Sequence, residues 1–560
     1  MCRRVLFVPS VLAILAAGGA ARGADAGKEF QAVHDAYLAK YKALVIASNQ
    51  AWWDASLSGA DADFQRRKDA ENALVELHSD PTTFAKIKSL RAGGEVTDPV
   101  PKRQLDVMYR TFLPYQADAE LSKRIVALGA DVDQIFNTHR SLVDGKELTE
   151  NEVRDILAGS KDSGLAEKAW NGYMAVGGKV EAKLKELVKL RNQVATKLGF
   201  KNYFAMQMVI QELDEAELFK TFDELDAMTQ KPFAALKKEI DAKMAARFSI
   251  PLEKLRPWHT GDLFFQETPE LTAVSLDEAV KSKDPVKVSA EYFQSLGMPV
   301  ADIIARSDLY EKEGKSPHAF CTNINRGDDV RVLCNVKPNM RWMDTTLHEL
   351  GHGVYDKQIG KDVPFVLHEP AHILATEAVA MMFGAMAKNE DFLTNVIHVP
   401  SDQAADFITA ARRSLSAEKL IFSRWTQVML RFEQSMYGNP DQDLGKLWWD
   451  LKKRYQLLNP PENTSRPDYG AKVHIVGAPV YYHNYMLGEL MAAQVHNYVA
   501  KNIIKVDDPR KTCFFGSRPA GDYLRTKIFE PGNLYVWREL IQKATGEPLT
   551  AKYFAQLYIN

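Results

Sequence analysis

Two histidines and a glutamate form the segment with the clearest chemistry, His348-Glu349-Leu350-Gly351-His352. Residues four apart lie on one face of an α-helix, so both imidazoles can reach a single metal ion. Zinc is the natural occupant, because it binds imidazole and tolerates an open coordination position. Glu349 is placed to take a proton from a water molecule that the metal activates. The spacing predicts one zinc per chain; the alternative is two ordinary helical histidines.

A catalytic zinc needs a third protein ligand, and residues 371–387 offer one. This segment is apolar except for His372, Thr376 and Glu377, and a lone buried carboxylate is costly unless it is paired or bound to a metal. Glu377 is therefore the predicted third ligand. Of its two competitors, Glu369 lies at a helix start, where the helix dipole accounts for a carboxylate, and His372 is typical of a cap or the core.

The elements that must position these groups are predicted to be mainly helical. Leu187, Leu190, Val194 and Leu198, for example, follow the helical period, whereas strand signals are rare. The sequence contains no repeat of fixed period and no linker rich in Gly, Ser or Pro. We therefore expect one mainly α domain over residues 25–560, arranged in two lobes.

The overall charge argues against nucleic acid and acidic membranes as partners. Among 560 residues, Lys and Arg total 71 and Asp and Glu total 73. Such a balance lacks the basic patch that polyanion binding requires. Hydrophobic residues at 46% and charged residues at 26% are typical of a folded globular protein.

The N-terminal segment has the pattern of a secretory signal. Arg3 and Arg4 precede an apolar run over residues 5–17, and small residues follow. We expect cleavage at the end of a signal peptide spanning residues 1–24, and export to a periplasm or to the medium. The run is short for a bilayer span, so an uncleaved tether is the less favoured alternative.

One pair of cysteines is predicted to form a disulfide. Cys321 and Cys334 flank a probable β-hairpin in which Gly327-Asp328 suits a two-residue turn. Counting outward from this turn places Cys321 opposite Cys334 at a non-hydrogen-bonded position, where the separation fits an S–S bridge. An exported protein favours the bridge, and two half-buried free thiols are the alternative.

Several further segments resemble the angiotensin-converting enzymes, a family of zinc peptidyl dipeptidases. The resemblance covers most of the chain from about Leu187 onward. Besides the zinc motif and the glutamate-bearing helix, it rests on Lys361-Asp362-Val363-Pro364, Trp448-Trp449-Asp450-Leu451, Tyr455-Gln456, Pro460-Pro461 and Gly470-Ala471-Lys472-Val473-His474-Ile475. It implies a helical zincin shell around a deep central channel, with one short β-hairpin at the active site.

The resemblance also implies roles for individual residues. Tyr485 matches the tyrosine that donates a hydrogen bond to the oxyanion, which a phenol near the metal can do. His474 and His318 resemble the two histidines that hold the substrate backbone. Because His318-Ala319 immediately precedes the predicted hairpin, an extended peptide could add to the hairpin edge as an extra strand.

Lys472, Tyr482 and Gln266 resemble the family's trio for a free C-terminal carboxylate, which needs a cation and hydrogen-bond donors. The family's carboxypeptidase branch carries arginine at the position of Gln266, so glutamine implies the release of dipeptides. One extra residue precedes Tyr485 relative to the family pattern. Tyr481 is therefore an alternative to Tyr482 in this trio.

The chain departs from the family pattern near the metal and at two arginines. Met381 replaces an acidic residue that orients a zinc histidine, and this loss can weaken metal binding unless Asp344 or Asp356 substitutes. The arginines that bind activating chloride in animal members are replaced by Asn484 and Lys452. We expect weak or absent chloride activation.

These features together predict a zinc-dependent peptidyl dipeptidase. Its partners would be short peptides with a free C-terminus, and it would be a monomer or a weak dimer. A zinc oligopeptidase of broader specificity is one alternative. A zinc-bound binding protein with decayed catalysis is another; Met381 favours it, whereas Glu349 and Tyr485 argue against it.

Overall fold

The computed structural model describes the backbone of residues 11–559 and the side chains of residues 25–559, except those of Ala119 and Asn137. The chain is mostly helical with two short hairpins, which confirms the mainly α prediction. The predicted signal peptide lies outside the residues whose side chains are described. Among the described helices, none is both long enough and apolar enough for a bilayer crossing.

The α-helices are numbered in chain order within the described residues. They are α1 (Val11–Ser58), α2 (Asp61–His78), α3 (Pro81–Gly93), α4 (Pro99–Phe112), α5 (Ala119–Thr138), α6 (Glu150–Gly159), α7 (Ser163–Lys197), α8 (Tyr203–Ile210), α9 (Glu215–Phe248), α10 (Asp277–Val280), α11 (Pro285–Ser295), α12 (Ala301–Arg306), α13 (Met340–Gln358), α14 (Ile373–Met386), α15 (Ala404–Gly438), α16 (Leu444–Gln456), α17 (Val473–Gly477), α18 (His483–Tyr498), α19 (Arg518–Leu524), α20 (Trp537–Thr545) and α21 (Lys552–Tyr558).

Short helical turns join several of these helices. The 3₁₀ turns are Leu113–Tyr115, Leu252–Lys254, Pro257–His259, Phe365–Leu367, Asp468–Ala471 and Pro509–Lys511. The π turns are Phe392–Val396, Val499–Ile504 and Arg525–Phe529.

Two antiparallel hairpins complete the described structure, β1 (Ser141–Val143) with β2 (Lys146–Leu148) and β3 (Phe320–Asn323) with β4 (Val330–Leu333). The sequence analysis found only the second. The first turns at Asp144-Gly145, where both residues have positive φ, 49° and 82°. Asp-Gly is a strong hairpin signal for this reason, so the first hairpin was open to prediction.

The predicted disulfide is wrong. Cys321 lies opposite Val332 rather than Cys334, and both cysteines are free thiols. The N–H of Cys334 donates instead to the carbonyl of Asp308 at 2.9 Å, so the end of β4 pairs with a different segment. The cysteine positions are therefore two residues out of the register that a bridge between directly opposed residues requires.

The turn explains this change of register. The β3–β4 loop has four residues, 325–328, rather than two, because Ile324 and Asp329 are its last hydrogen-bonded pair. The side chain of Asn325 accepts a hydrogen bond from the Asp329 N–H at 3.1 Å. Arg326 adopts a left-handed φ of 53°. These local contacts stabilise a longer loop. As a result, each residue of β3 lies opposite a β4 residue two positions earlier in the sequence than predicted.

Helices α13, α14 and α18 pack closely because small residues lie at their contacts. A Cβ atom at Gly351 of α13 would lie 3.1 Å from the Cα of Ala380 in α14. A Cβ atom at Gly488 of α18 would lie 3.3 Å from the Cβ of Glu377 in α14. The absence of side chains at these two positions lets the three backbones approach, which positions the candidate site.

Candidate metal centre and peptide-binding site

The two motif histidines and Glu377 converge. His348 and His352 lie one turn apart on α13, Glu377 projects from α14, and one ligand atom from each lies within 4.8 Å of the others. The His348 Nε2 and a Glu377 carboxylate oxygen are 3.8 Å apart. Two nitrogens and one oxygen are a donor set that suits zinc and leaves a coordination position open. The residues therefore fit the expected metal.

The protonation states of this cluster also suit a cation. Burial lowers the pKa of His348 to about 4 and that of His352 well below its ordinary value, so both imidazoles are neutral and able to ligate. Burial, together with nearby Glu489, raises the pKa of Glu377 to about 7. A divalent cation would offset the cost of ionising this buried carboxylate.

A threonine orients the second histidine. The Nδ1 of His352 lies 2.6 Å from the hydroxyl oxygen of Thr376, which leaves its Nε2 for the metal. The sequence analysis noted Thr376 as a polar residue in an apolar helix but did not assign it this contact. Thr376 precedes Glu377 directly, so one turn of α14 carries both a ligand and a partner of another ligand.

The competitors for the third ligand position are engaged elsewhere. His372 caps α14 through Nδ1, and its Nε2 lies 2.6 Å from the carbonyl of Gln211. Glu369 forms an ion pair with Arg326. Of the three candidates for the third ligand, Glu377, Glu369 and His372, only Glu377 joins the two motif histidines in the described structure.

In the described structure, neither aspartate suggested as a substitute for the acidic residue lost at Met381 forms a hydrogen bond or an ion pair with the histidines. Asp344 lies 3.7 Å from the Nζ of Lys388, and burial raises the pKa of Asp344. Burial and the charge of Glu369 raise the pKa of Asp356 to about 7. Among the described residues, no hydrogen bond joins either aspartate to His348 or His352.

Glu349 is a buried carboxylate beside the cluster. Burial, followed by repulsion from Glu377, raises its pKa to about 8, and the backbone N–H of Cys321 in β3 opposes this rise. A carboxylate with a pKa near neutrality can both accept and return a proton. This position beside the histidines is the one that the sequence analysis expected of a general base.

Tyr485 and His474 lie in an aromatic group next to the metal cluster. Their ring centroids are 6.1 Å apart, and that of Tyr482 is 4.8 Å from His474. Burial and the charge of Glu377 raise the pKa of Tyr485, so its hydroxyl remains a donor. The Nδ1 of His474 is buried and has no hydrogen-bond partner in the part of the chain that is described.

The two adjacent tyrosines have different surroundings. Tyr481 packs against Tyr485 with ring centroids 5.4 Å apart, and the charge of Glu377 contributes to its raised pKa. Tyr482 also packs against Tyr485, with ring centroids 5.2 Å apart, but it lies in addition against Lys472, whose Nζ is 5.3 Å from its ring centroid. The structure thus groups Tyr482, not Tyr481, with the lysine.

Lys472 and Gln266 form a second group of predicted site residues in direct contact. The Lys472 Nζ donates to the Gln266 side-chain oxygen at 2.6 Å and lies 5.2 Å and 5.4 Å from the rings of Phe264 and Trp425. Burial lowers the pKa of Lys472 to about 8 despite the opposing charge of Asp262. The structure therefore brings the predicted carboxylate-binding trio together, and we name it the Lys472 pocket (Lys472, Gln266 and Tyr482).

His318 and Ala319 precede β3, and His318 is exposed. Asp308 bonds to the far edge of β4, whereas β3 pairs only with β4 among the described strands. One edge of β3 is therefore without a partner strand, as the predicted addition of a peptide requires.

The sequence analysis missed a buried ion pair behind the metal cluster. Lys419 of α15 donates to Glu489 of α18 at 2.5 Å, and both side chains are buried. The second carboxylate oxygen of Glu489 has no hydrogen-bond partner among the described residues. Glu489 is a lone acid in an apolar helix, so the argument that identified Glu377 could also have found it.

Comparison with known proteins agrees with this geometry. A family model described as angiotensin-converting enzyme, peptidase M2, matches residues 25–249 and 262–558. The angiotensin-converting enzyme of Theromyzon tessulatum is 20% identical over 525 residues, which is 86% of this chain and 84% of that protein. Thermostable carboxypeptidase 1 of Pyrococcus furiosus is 25% identical over 432 residues, or 72% of this chain and 78% of that protein.

Mammalian relatives are longer than the matched region. The angiotensin-converting enzyme-like protein Ace3 of Mus musculus is 24% identical over 434 residues, covering 71% of this chain but 57% of that protein. The angiotensin-converting enzyme of Oryctolagus cuniculus is 22% identical over 545 residues, and the match spans 41% of its length. The family match includes the metal cluster and nearly the whole chain, so this protein belongs to the angiotensin-converting enzyme family of metallopeptidases.

Proposed function

We propose that this protein is a zinc-dependent peptidyl dipeptidase that releases dipeptides from the C-terminus of short peptides. The observation that supports it most is the convergence of His348, His352 and Glu377 within 4.8 Å, with Glu349 buried beside them. Three ligands and an adjacent base are the parts that metal-assisted hydrolysis needs.

The reaction assigns a separate task to each side chain. A bound zinc ion would polarise the scissile carbonyl and acidify a water molecule. Glu349 accepts the proton of the attacking water and passes it to the leaving amine. Tyr485 donates a hydrogen bond to the oxyanion, and His474 and His318 hold the peptide backbone.

The Lys472 pocket selects the substrate end. Lys472 supplies the cation for the terminal carboxylate, and Gln266 and Tyr482 supply further polar groups. The peptide enters as an extended strand beside His318, Ala319 and β3, which orients the scissile bond. The family resemblance implies that this pocket and the metal cluster are separated by the length of two residues. Dipeptides would therefore be released.

The remaining predictions concern cellular context and regulation. We expect export through the N-terminal signal, and a monomer or a weak dimer. Weak chloride activation is supported by the neutral Asn484 and by Lys452, whose ammonium group already has protein acceptors. A rate that rises manyfold with chloride at constant ionic strength would refute this expectation.

The direct test is product identification. A mixed pool of short peptides is incubated with the protein, with and without a chelator, and the products are identified by mass spectrometry. We expect dipeptides derived from C-termini, and their disappearance with the chelator. Release of single residues would indicate a carboxypeptidase, and internal fragments would indicate an oligopeptidase. The absence of all cleavage would support a zinc-bound binding protein.

A further inference from the structure

A second buried lysine lies beside the Lys472 pocket and has no part in the proposed reaction. Lys452 of α16 is only 2% exposed. Its Nζ donates to the carbonyl of Phe264 at 2.9 Å and to the side-chain oxygen of Gln456 at 2.7 Å. Three indole rings surround the ammonium group at 4.9, 5.4 and 5.8 Å from Nζ, those of Trp425, Trp448 and Trp449.

The contacts of Lys452 converge on the 262–266 loop. Gln456, one turn further along α16, donates to the carbonyl of Phe265 at 2.6 Å and to that of Phe264 at 3.2 Å. From within the loop, Asp262 accepts a hydrogen bond from the backbone N–H of Gln266 at 2.7 Å. The two carbonyls that flank the Cα of Phe265, those of Phe264 and Phe265, are thus both held by the same helix.

This loop contains a conformation that needs external support. Phe265 has a φ of 54°, in the left-handed region that a phenylalanine adopts at a cost in energy. Such a conformation persists only where surrounding contacts stabilise it. Lys452 and Gln456 provide those contacts through the carbonyls of Phe264 and Phe265.

The strained residue lies directly before Gln266. The side-chain oxygen of Gln266 accepts the hydrogen bond from Lys472 at 2.6 Å, so the backbone of Phe265 determines where that oxygen lies. Lys452 and Lys472 also approach the same indole, with Nζ 4.9 Å and 5.4 Å from the Trp425 ring centroid. The two lysines therefore contact the same indole ring and neighbouring residues of the same loop.

Placing two ammonium groups this close is unfavourable for folding. Burial lowers the pKa of both lysines, the charge of Lys472 lowers that of Lys452 further, and Asp262 partly offsets this for both. An apolar side chain would fill the space among the indoles without repelling Lys472. What the ammonium group adds is its hydrogen bond to the loop carbonyl.

We propose that Lys452 is a positioning residue for the Lys472 pocket: by binding the Phe264 carbonyl, it holds the 262–266 loop so that Gln266 meets Lys472. Lys452 does not contact the substrate. This inference rests on the proposed function, because it assumes that the pocket binds a free C-terminal carboxylate. It adds a residue that controls selectivity for that carboxylate from outside the pocket.

The test uses a matched pair of peptides that differ only in a free or an amidated C-terminus. Lys452→Met removes both hydrogen bonds at similar volume, Lys452→Arg retains a cationic donor, and Lys446→Met alters an exposed lysine of the same helix. For Lys452→Met we expect KM for the free peptide to rise about tenfold, with kcat little changed, since a buried hydrogen bond to a charged group is lost. Cleavage of the amide should change less than twofold. Lys452→Arg should recover most of the selectivity, and Lys446→Met should match the wild type.

The outcomes separate this inference from the proposed function. Equal cleavage of both peptides by the wild type would refute the proposed carboxylate anchoring, and the inference with it. Two outcomes would overturn the role of Lys452 but leave the proposed function standing. In the first, the wild type prefers the free peptide and Lys452→Met does not change this preference; in the second, Lys452→Met loses the same activity on both peptides. If Lys452→Met does not fold, as judged by thermal unfolding, Gln456→Met tests the same loop. The inference then requires the same selective rise in KM, and an unchanged ratio between the two peptides overturns it.

Discussion

The metal cluster and the Lys472 pocket are assembled in different ways. The cluster takes its groups from two packed helices, α13 and α14, and its histidines lie a single turn apart. The pocket joins Lys472 to Gln266, which is 206 residues away in the sequence. Helical spacing therefore determines most of the cluster, whereas the pocket depends on how distant segments meet.

The two regions also differ in how their charges are compensated. Glu349 and Glu377 are buried acids, and burial together with neighbouring acidic groups raises their pKa values to about 8 and about 7. The ammonium group of Lys472 already has an internal acceptor and aromatic neighbours. The cluster should thus respond most to loss of metal or of its own carboxylates, and the pocket to changes in the substrate terminus.

The largest expected effect is that of Glu349→Gln, which removes the general base. We expect kcat/KM to fall about 10²–10⁴-fold, the range that general acid–base catalysis contributes. Zinc content should stay at that of the wild type, because Glu349 is not a ligand. Glu186→Gln, on the exposed face of α7, is the control and should retain full activity. Unchanged activity of Glu349→Gln on a blocked tripeptide would remove the enzyme hypothesis.

Glu377→Gln should weaken zinc binding more than about 100-fold, because even partners of metal ligands contribute about 10–100-fold. Zinc retention after dialysis against graded chelator measures this directly. Glu369→Gln is the matched control, since that carboxylate pairs with Arg326 instead. Loss of zinc from Glu369→Gln but not from Glu377→Gln would reverse the ligand assignment.

Thr376→Val should weaken zinc binding by about tenfold, since it removes the hydroxyl next to the His352 Nδ1 but leaves all three ligands. The same dialysis measures the effect, and activity should return when zinc is added in excess. A zinc affinity equal to that of the wild type would show that this hydrogen bond does not orient the histidine.

The pocket should show a smaller effect that depends on pH. The protonated form of Lys472 binds a carboxylate, and burial lowers its pKa to about 8. The preference for a free over an amidated C-terminus is therefore full about one pH unit or more below that pKa and should approach a tenfold decline per pH unit above it. The ratio of kcat/KM for the two peptides, followed from about pH 6.5 to about pH 9.5, measures this decline. Parallel profiles for both peptides would contradict the role of Lys472.

The site was predictable from sequence to the extent that it depends on local geometry. His348, Glu349 and His352 share a helical turn, and the cost of burying a lone acid distinguished Glu377 from Glu369. The resemblance to a family added Lys472, Gln266 and Tyr482, which the structure brings together. Spacing along the chain could not have paired residues from such distant segments.

The β3–β4 hairpin shows the opposite case. Its predicted register depended on the length of one turn. The loop is longer than predicted: the Asn325 side chain accepts a hydrogen bond from the Asp329 N–H, and Arg326 adopts a left-handed conformation. A difference of two residues separated Cys321 from Cys334 and removed the disulfide. Register errors of this size arise because a small change in the turn alters every pair beyond it.

The amino-acid sequence by itself determined the helical character of the chain and the shared face of His348 and His352, because helix geometry fixes the positions of residues a few apart. It also pointed to Glu377, because a lone buried carboxylate needs a partner. Only the tertiary structure decided which hydroxyl orients His352, which tyrosine accompanies Lys472, and how Lys452 supports the loop before Gln266. These contacts join elements far apart in the chain, and their geometry follows from the packing of whole helices rather than from local spacing.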